Sequence, residues 1–157
     1  MSGVLQTGNV TPGHIALWSA NGVLADGSAL GASQKVLARA SCDFNSTADQ
    51  PLLLPSYITA FMLTNIIVTN APLSLTTAVG GFYPAVSKGG TAIVAAGQVY
   101  STLIVASKLL SCTLTGTVAT TRYSRANLTD WAIYLSLTTP QGSATMADCY
   151  VLGIDLS

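Results

Sequence analysis

Glutamate is absent from this chain of 157 residues, lysine occurs three times and histidine once. Glu and Lys are the usual fillers of exposed helix faces. Their scarcity, beside abundant Thr and Val, turns the reading from helices to strands. Only 8% of residues are charged, against roughly 25% in an average soluble domain. The six acidic residues are all Asp, and six basic residues balance them to a net charge of zero. No basic surplus exists, and only Arg122 and Arg125 lie close together, on what reads as a solvated loop. That excludes a surface tracking a phosphate backbone, so no nucleic-acid partner is expected. Disorder is excluded as well, because half the residues are apolar.

Cysteine is also scarce and unpatterned. Cys42, Cys112 and Cys149 are odd in number, far apart, and fit neither a zinc spacing nor Cys-x-x-Cys. They are expected as buried free thiols, which behave as small hydrophobes and fit a reducing compartment of synthesis. Met1 to Gln6 lacks a basic segment followed by an apolar run, so no export signal is expected. The sequons at Asn45-Ser46-Thr47 and Asn127-Leu128-Thr129 therefore carry no weight. Leu52 to Val68 is strongly apolar, yet it contains Pro55, Ser56, Thr59, Thr64 and Asn65 and falls short of the ~20 apolar residues of a spanning helix. It also lacks flanking Lys or Arg. It reads as a buried strand pair or one long strand, and no membrane partner is expected.

What is present is a succession of strand signals. Residues 1–34 form an N-terminal arm and linker. Ile15 to Trp18 and Val23-Leu24 flank Asn21-Gly22, a tight-turn pair, and predict a small hairpin. Asp26-Gly27 marks another turn, and 27–34 reads as a flexible connection. A hairpin alone is marginal in water, so this arm needs another surface. Residues 35–157 form the body. Lys35 to Phe44 is its first strand, and Tyr57 to Thr69 its strongest. On Tyr57 to Thr69, strict alternation puts Ile58, Ala60, Met62 and Ile66 on one face and Phe61, Leu63, Ile67 and Thr69 on the other. Both faces are apolar, so this strand is expected at the centre, with a second sheet or a neighbouring subunit as cover. Leu73 to Val79 is a run broken by Gly80-Gly81. Thr91 to Ala96 is a short strand, Tyr100 to Leu110 is either a short helix or part of a strand, and Leu109 to Val118 alternates. Trp131 to Thr138 and Thr145 to Leu156, joined by Pro140-Gln141-Gly142, predict a closing hairpin. The fold class is all-β: a compact antiparallel sandwich or jelly-roll-like domain with a small N-terminal hairpin arm.

Signals of catalysis are weak. His14 is the only histidine, it lies in the arm rather than in the body, and there is no Gly-x-Ser-x-Gly elbow. A two-carboxylate site would have to use Asp alone, and Asp148 and Asp155 on one strand stand about 23 Å apart. No phosphate-binding loop is present. Trp18 and Trp131 have the shape for stacking on a sugar, but Trp131 on an apolar strand face reads as core. The expectation is a protein that is not an enzyme and takes no cofactor or metal.

One resemblance stands beside this reading. Gln6-Thr7-Gly8-Asn9-Val10-Thr11-Pro12-Gly13-His14, then Trp18, then Gly22-Val23-Leu24-Ala25-Asp26-Gly27 resembles an opening of tailed-bacteriophage virion proteins of the head-decoration, head-fibre or tail-fibre type. Tyr134 to Gly142 is similar to a closing hairpin of small phage β-domains. Together these cover about a third of the chain. The resemblance implies a homo-oligomer, a trimer, attached to the virion surface through Pro12, His14, Trp18 and Asp26, with the major capsid protein or another virion protein as partner, after synthesis in the bacterial cytoplasm. The chain departs from long fibres in that a single compact domain follows the opening. That favours a capsid decoration or cement protein, with a short fibre or receptor-binding tip as the alternative. Low charge and zero net charge agree with a surface covered by copies of the chain. Phe61, Leu63, Ile67 and Tyr134 are the candidate subunit contacts.

Overall fold

The computed structural model describes the backbone of residues 5–6, 14–18 and 23–29, and residues 34–103 and 108–157 in full. The chain divides into two compact units, Met1–Ser33 and Gln34–Ser157, a division one residue from the expected boundary.

In the first unit, β1 (Leu5–Gln6), β2 (His14–Trp18) and β3 (Val23–Ala29) form a sheet of order β1-β3-β2. β2 and β3 are the antiparallel arms around Asn21-Gly22, with Trp18 opposite Leu24 and Ala16 opposite Asp26. The expected turn at Asp26-Gly27 is instead part of β3. His14 pairs with Ala29 while Ala16 pairs with Asp26, so β3 spends one extra residue there. That is a bulge, which a glycine accommodates.

The second unit is an all-β sandwich of two antiparallel sheets. Its strands are β4 (Gln34–Asp43), β5 (Gln50–Leu53), β6 (Ala60–Thr69), β7 (Val79–Tyr83), β8 (Leu109–Ser111), β9 (Arg122–Ser124), β10 (Ala132–Thr139) and β11 (Met146–Asp155). One sheet runs β4-β11-β6-β8, with β9 pairing the other end of β6, and the second runs β5-β10-β7. Fully buried side chains fill the space between them: Phe61, Leu63, Ile66 and Val68 from β6, Cys149 and Val151 from β11, and Ile133, Leu135 and Leu137 from β10.

The apolar stretch at 52–68 is thus two strands in different sheets, and no described helix is long and apolar enough to cross a membrane. β6 does not keep one parity. Leu152 of β11 pairs with Asn65 and Gly153 with Leu63, leaving Thr64 as an extra residue. Phe61 and Leu63 face the core before this bulge, Ile66 and Val68 after it. Strict alternation therefore misassigned the faces, because a bulge shifts the two-residue period by one. Leu37 on β4 is a matching extra residue on the opposite side of β11.

Two further expectations are corrected. Gly80-Gly81 does not break a strand but lies inside β7. A Cβ at Gly80 would lie 2.5 Å from Leu137 Cα, and one at Gly81 would run into Val94 O and Ala95. Only glycine fits where chain packs this closely on both sides. Nor do β10 and β11 form a hairpin, since they belong to different sheets. The 140–145 connection arches between sheets. Gln141 N–H donates to Phe44 O (2.8 Å), Phe44 N–H donates to Thr145 O (2.9 Å), and Gly142 takes φ +84. β10 is buried on both faces through Leu137, so it needs neighbours from elsewhere on both edges, while β11 is gripped by two ten-residue strands.

Outside the named strands, Thr91 to Ala96 contributes only single bridges. Val94 pairs with Phe82 and with Leu114, stepping from the edge of β7 to the chain leaving β8. The alternating 109–118 run is a strand only to Ser111, although Leu110, Cys112 and Leu114 do turn to the core. No helix is described in 100–110; residues 104–107 lie outside the described residues.

Candidate functional site

The connecting segments 82–90 and 120–129, which take in the end of β7 and the whole of the short β9, converge. Val86 accepts from Gly89 N–H (3.0 Å) to close a tight turn in which Ser87 and Lys88 both take positive φ, and Asp49 Oδ2 accepts from Ser87 N–H (2.6 Å). Thr129 N–H donates to Pro84 O (3.1 Å), which ties the two loops together. Between them lies a cleft of about 240 Å³. Pro84, Gly90 and Thr91 form one wall, and Val118, Thr121 and Tyr123 the other, with Thr117 and Asn127 exposed at its margin.

Local hydrogen bonds shape this cleft. A single 3₁₀ turn at Val118–Thr120 is stitched by Thr120 and Thr121 hydroxyls, both donating to Thr117 O (3.0 and 2.8 Å). Asn127 Oδ1 accepts both the N–H and the hydroxyl of Ser124, each at 2.9 Å. β9 pairs with β6, so the Tyr123 ring stacks on Phe61 with centroids 5.4 Å apart and planes 15° apart. Tyr123 is only 6% exposed. Its hydroxyl has no partner among the described residues, yet it is not sealed from solvent: the one described side-chain atom both sealed and unpartnered is Thr145 Oγ1. The open side is the cleft that Tyr123 lines. A hydroxyl left buried and unpaired would cost about 1–3 kcal/mol, so this one needs water or a ligand there. Burial also raises the Tyr123 pKa above the usual tyrosine value, and the cleft is uncharged at neutral pH.

Beside the cleft the chain turns sharply. Asp130 (φ 52) and Trp131 (φ 53) are consecutive left-handed residues. The Trp131 ring lies edge-on to Phe61 at 5.8 Å, its Nε1–H donates to Pro55 O (3.2 Å), and Arg125 sits 4.8 Å over its face. Trp131 is therefore core-facing, as expected. Arg125 is exposed but engaged, and also donates to Ser56 O.

The outer face of the larger sheet is the second feature. Paired residues in antiparallel strands point to the same side. Tyr150 stands between Arg39 and Ile67, Leu152 between Val36 and Asn65, and Ile154 between Gln34 and Met62. Met62, Ile67, Tyr150, Leu152 and Ile154 are half-buried and Val36 is exposed. The apolar alternation of β11 thus marks this outer face, while its core face holds the smaller Ala147, Cys149, Val151 and Gly153.

Of the four candidate subunit contacts, only Ile67 is on this face. Phe61 and Leu63 are fully buried in the chain's own core. Tyr134 is 5% exposed, and its hydroxyl donates to Asp130 Oδ2 (3.1 Å). These three are already covered within the chain and are withdrawn as contact residues. Of the anchoring candidates, Pro12 lies outside the described residues. His14, Trp18 and Asp26 are placed by register, with Asp26 opposite Ala16, midway between the other two on β2.

The five fully described aspartates each accept a hydrogen bond from the chain itself. Asp43 takes Asn45 N–H, Asp49 takes Ser87 N–H, Asp130 takes the Tyr134 hydroxyl, Asp148 takes Asn70 Nδ2 and Asp155 takes Lys35 Nζ. Cys42, Cys112 and Cys149 are free and buried. Among the described residues no group of three or more His, Cys, Asp or Glu is placed to hold a metal ion. Tyr123 lies between Arg122 and Arg125, on what reads in the sequence as a solvated loop. Its burial depends on the contact with Phe61, 62 residues away, which no local pattern announces. Comparison with protein families, curated proteins and solved structures gives no match to this chain.

Proposed function

We propose that this chain is a non-catalytic structural protein of a phage virion, a decoration or cement subunit that forms a homotrimer on the head surface. The observation that carries the proposal is the half-buried outer face of the β4-β11-β6-β8 sheet, with Met62, Ile67, Tyr150 and Leu152 inside and Arg39 and Asp148 toward the margins. An apolar centre that includes a Tyr, with a polar margin that includes an Arg, is the pattern of protein interfaces. Three strands ten residues long, with the short β8 and β9 beside β6, present about 500 Å², a substantial part of the ~800 Å² per partner of a standard interface. Charged residues at 8% of the chain leave little else to keep separate copies apart. In this reading the Met1–Ser33 unit, with Pro12, His14, Trp18 and Asp26, attaches to the capsid protein. Many bound copies then raise the shell's resistance to rupture by mass action.

The test is copy number per particle, by quantitative mass spectrometry against the major capsid protein. Hundreds of copies support decoration. A handful, in multiples of three, overturns it in favour of the second reading, a short fibre or receptor-binding tip. The convergence of the 82–90 and 120–129 loops on one cleft favours that alternative, because binding residues concentrate on loops held by a rigid scaffold.

A further inference from the structure

We propose that the cleft between the 82–90 and 120–129 loops is a binding subsite for one neutral pyranose ring. The proposal stands on the cleft alone and holds wherever on a particle the chain sits.

Size limits the ligand first. At about 240 Å³ the cleft is smaller than the roughly 300–1,000 Å³ of drug-sized pockets, so it admits a single ring. Chemistry limits it next. No lining residue carries a charge at neutral pH, which gives a carboxylate, phosphate or ammonium nothing to pair with. The polar groups instead offer both halves of a hydroxyl's needs. Tyr123 presents a hydroxyl from a side chain that is otherwise buried and has no partner among the described residues. Asn127 has used its carbonyl oxygen on Ser124, which aims its remaining capacity, the amide N–H groups, elsewhere. Thr121 donates its proton to Thr117 O and is left as an acceptor. The Thr91 hydroxyl has no partner among the described residues.

The apolar part of the lining completes the match. Pro84 and Val118 supply C–H surface, and a pyranose has an apolar C–H face edged by hydroxyls. Gly90 keeps that surface open: its φ is +76, and a Cβ there would lie 2.6 Å from Pro84 Cγ, over the proline ring. Phe61 behind Tyr123 and the Thr129–Pro84 hydrogen bond in front fix the two walls before any ligand arrives. Such preorganisation is what lets a small ligand bind at all.

The full chain is titrated with D-glucose, D-galactose and N-acetyl-D-glucosamine, with D-glucuronate as charged control, and backbone amide shifts are followed by NMR. At least one neutral sugar should move amides of residues 90–91 and 117–127, with a Kd of about 1–10 mM as expected for one ring. Tyr123→Phe keeps the stack on Phe61 and should weaken that sugar about fivefold or more. Thr91→Val, at an exposed position, should weaken it without touching the fold. No shift of these amides with any neutral sugar at about 100 mM overturns the proposal. So does unchanged affinity in both variants, or binding of glucuronate alone.

Discussion

Gly153 of β11 faces the Met62 carbonyl across the β11–β6 ladder so closely that no side chain fits between them. A Cβ at Gly153 would run into Met62 O, and would also lie 2.5 Å from Leu37 Cδ1 and 3.2 Å from Met62 C. The position lies at the crossing of two bulges, Thr64 on β6 and Leu37 on β4. The backbone atoms of Met62 cannot move without unzipping the pair. Gly153→Ala is therefore expected to destabilise the body by about 1–3 kcal/mol or more, the range of overpacked cores. Urea denaturation of the variant checks it. A change below about 0.5 kcal/mol, the scale of an ordinary surface substitution, would show that the ladder yields at this point.

The same crossing shows what the sequence could and could not convey. Strand identity was readable from the sequence: β6, β10 and β11 fall where runs rich in Val, Ile, Thr and aromatics put them, and β4 where a looser alternation does. Partnership was not. Pro140-Gln141-Gly142 has the chemistry of a turn, and a turn is what it makes, but an arch between sheets uses the same residues as a hairpin. The faces of β6 were lost at Thr64, since a bulge leaves no mark when both faces are apolar. The double glycine at Gly80-Gly81 reads locally as a break, and only the approach of Leu137 and Val94 explains it. The cleft was legible only in part: of its two sides, just the one carrying Arg122 and Arg125 read as a solvated loop. Their meeting depends on β9 docking against β6, a long-range event.

Lys35 and Asp155 predict a limited acid sensitivity. Lys35 Nζ donates to Asp155 Oδ2 at 2.6 Å, and that bond, with further hydrogen bonds from Ser157, holds the Asp155 carboxyl down at about 2. A carboxyl lowered in the folded state adds stability above its unfolded value of about 4, and that stability disappears as pH falls from about 4 to about 2. The Lys35 side chain is 46% exposed, so solvent screening keeps the contribution under about 1 kcal/mol. Denaturant midpoints at pH 6 and pH 2.5 should differ less in Lys35→Met than in the parent chain. Equal differences would remove this pair from the acid response.

Cys112 and Cys149 are expected to be silent toward thiol reagents in the native state. Burial pushes the Cys112 thiol up to about 12, and burial together with the neighbouring Cys42 raises Cys149 well above the usual range. Thiolate is the reactive form, so at pH 8 neither residue should react with a maleimide while the body is folded, and both should react once it is unfolded in urea. Labelling of Cys112 or Cys149 in the native chain faster than its unfolding rate would contradict the burial described for these two residues.

Asp130 and Trp131 predict which forces hold the corner beside the cleft. Left-handed backbone costs a residue with a Cβ about 1–2 kcal/mol, and here two such residues follow one another. The compensation comes from the tryptophan. Its ring is buried against Phe61, its Nε1–H reaches Pro55 O, its carbonyl accepts Leu54 N–H at 3.0 Å, and Arg125 covers its outer face. Trp131→Ala should then cost about 3–5 kcal/mol, as large aromatic truncations do. Trp131→Phe keeps most of the ring contact and loses one hydrogen bond, a cost of about 1–2 kcal/mol. Asp130→Gly relaxes one left-handed residue but gives up the Tyr134 hydroxyl bond and frees the unfolded chain, so its net effect should be small. Thermal unfolding of the three variants gives the order directly. If Asp130→Gly proved as damaging as Trp131→Ala, the corner would be held by the Asp130–Tyr134 bond rather than by the buried ring. Because Thr129 N–H anchors Pro84 immediately before this corner, Trp131→Ala should also broaden the NMR signals of residues 117–127, loosening the cleft without altering any residue that lines it.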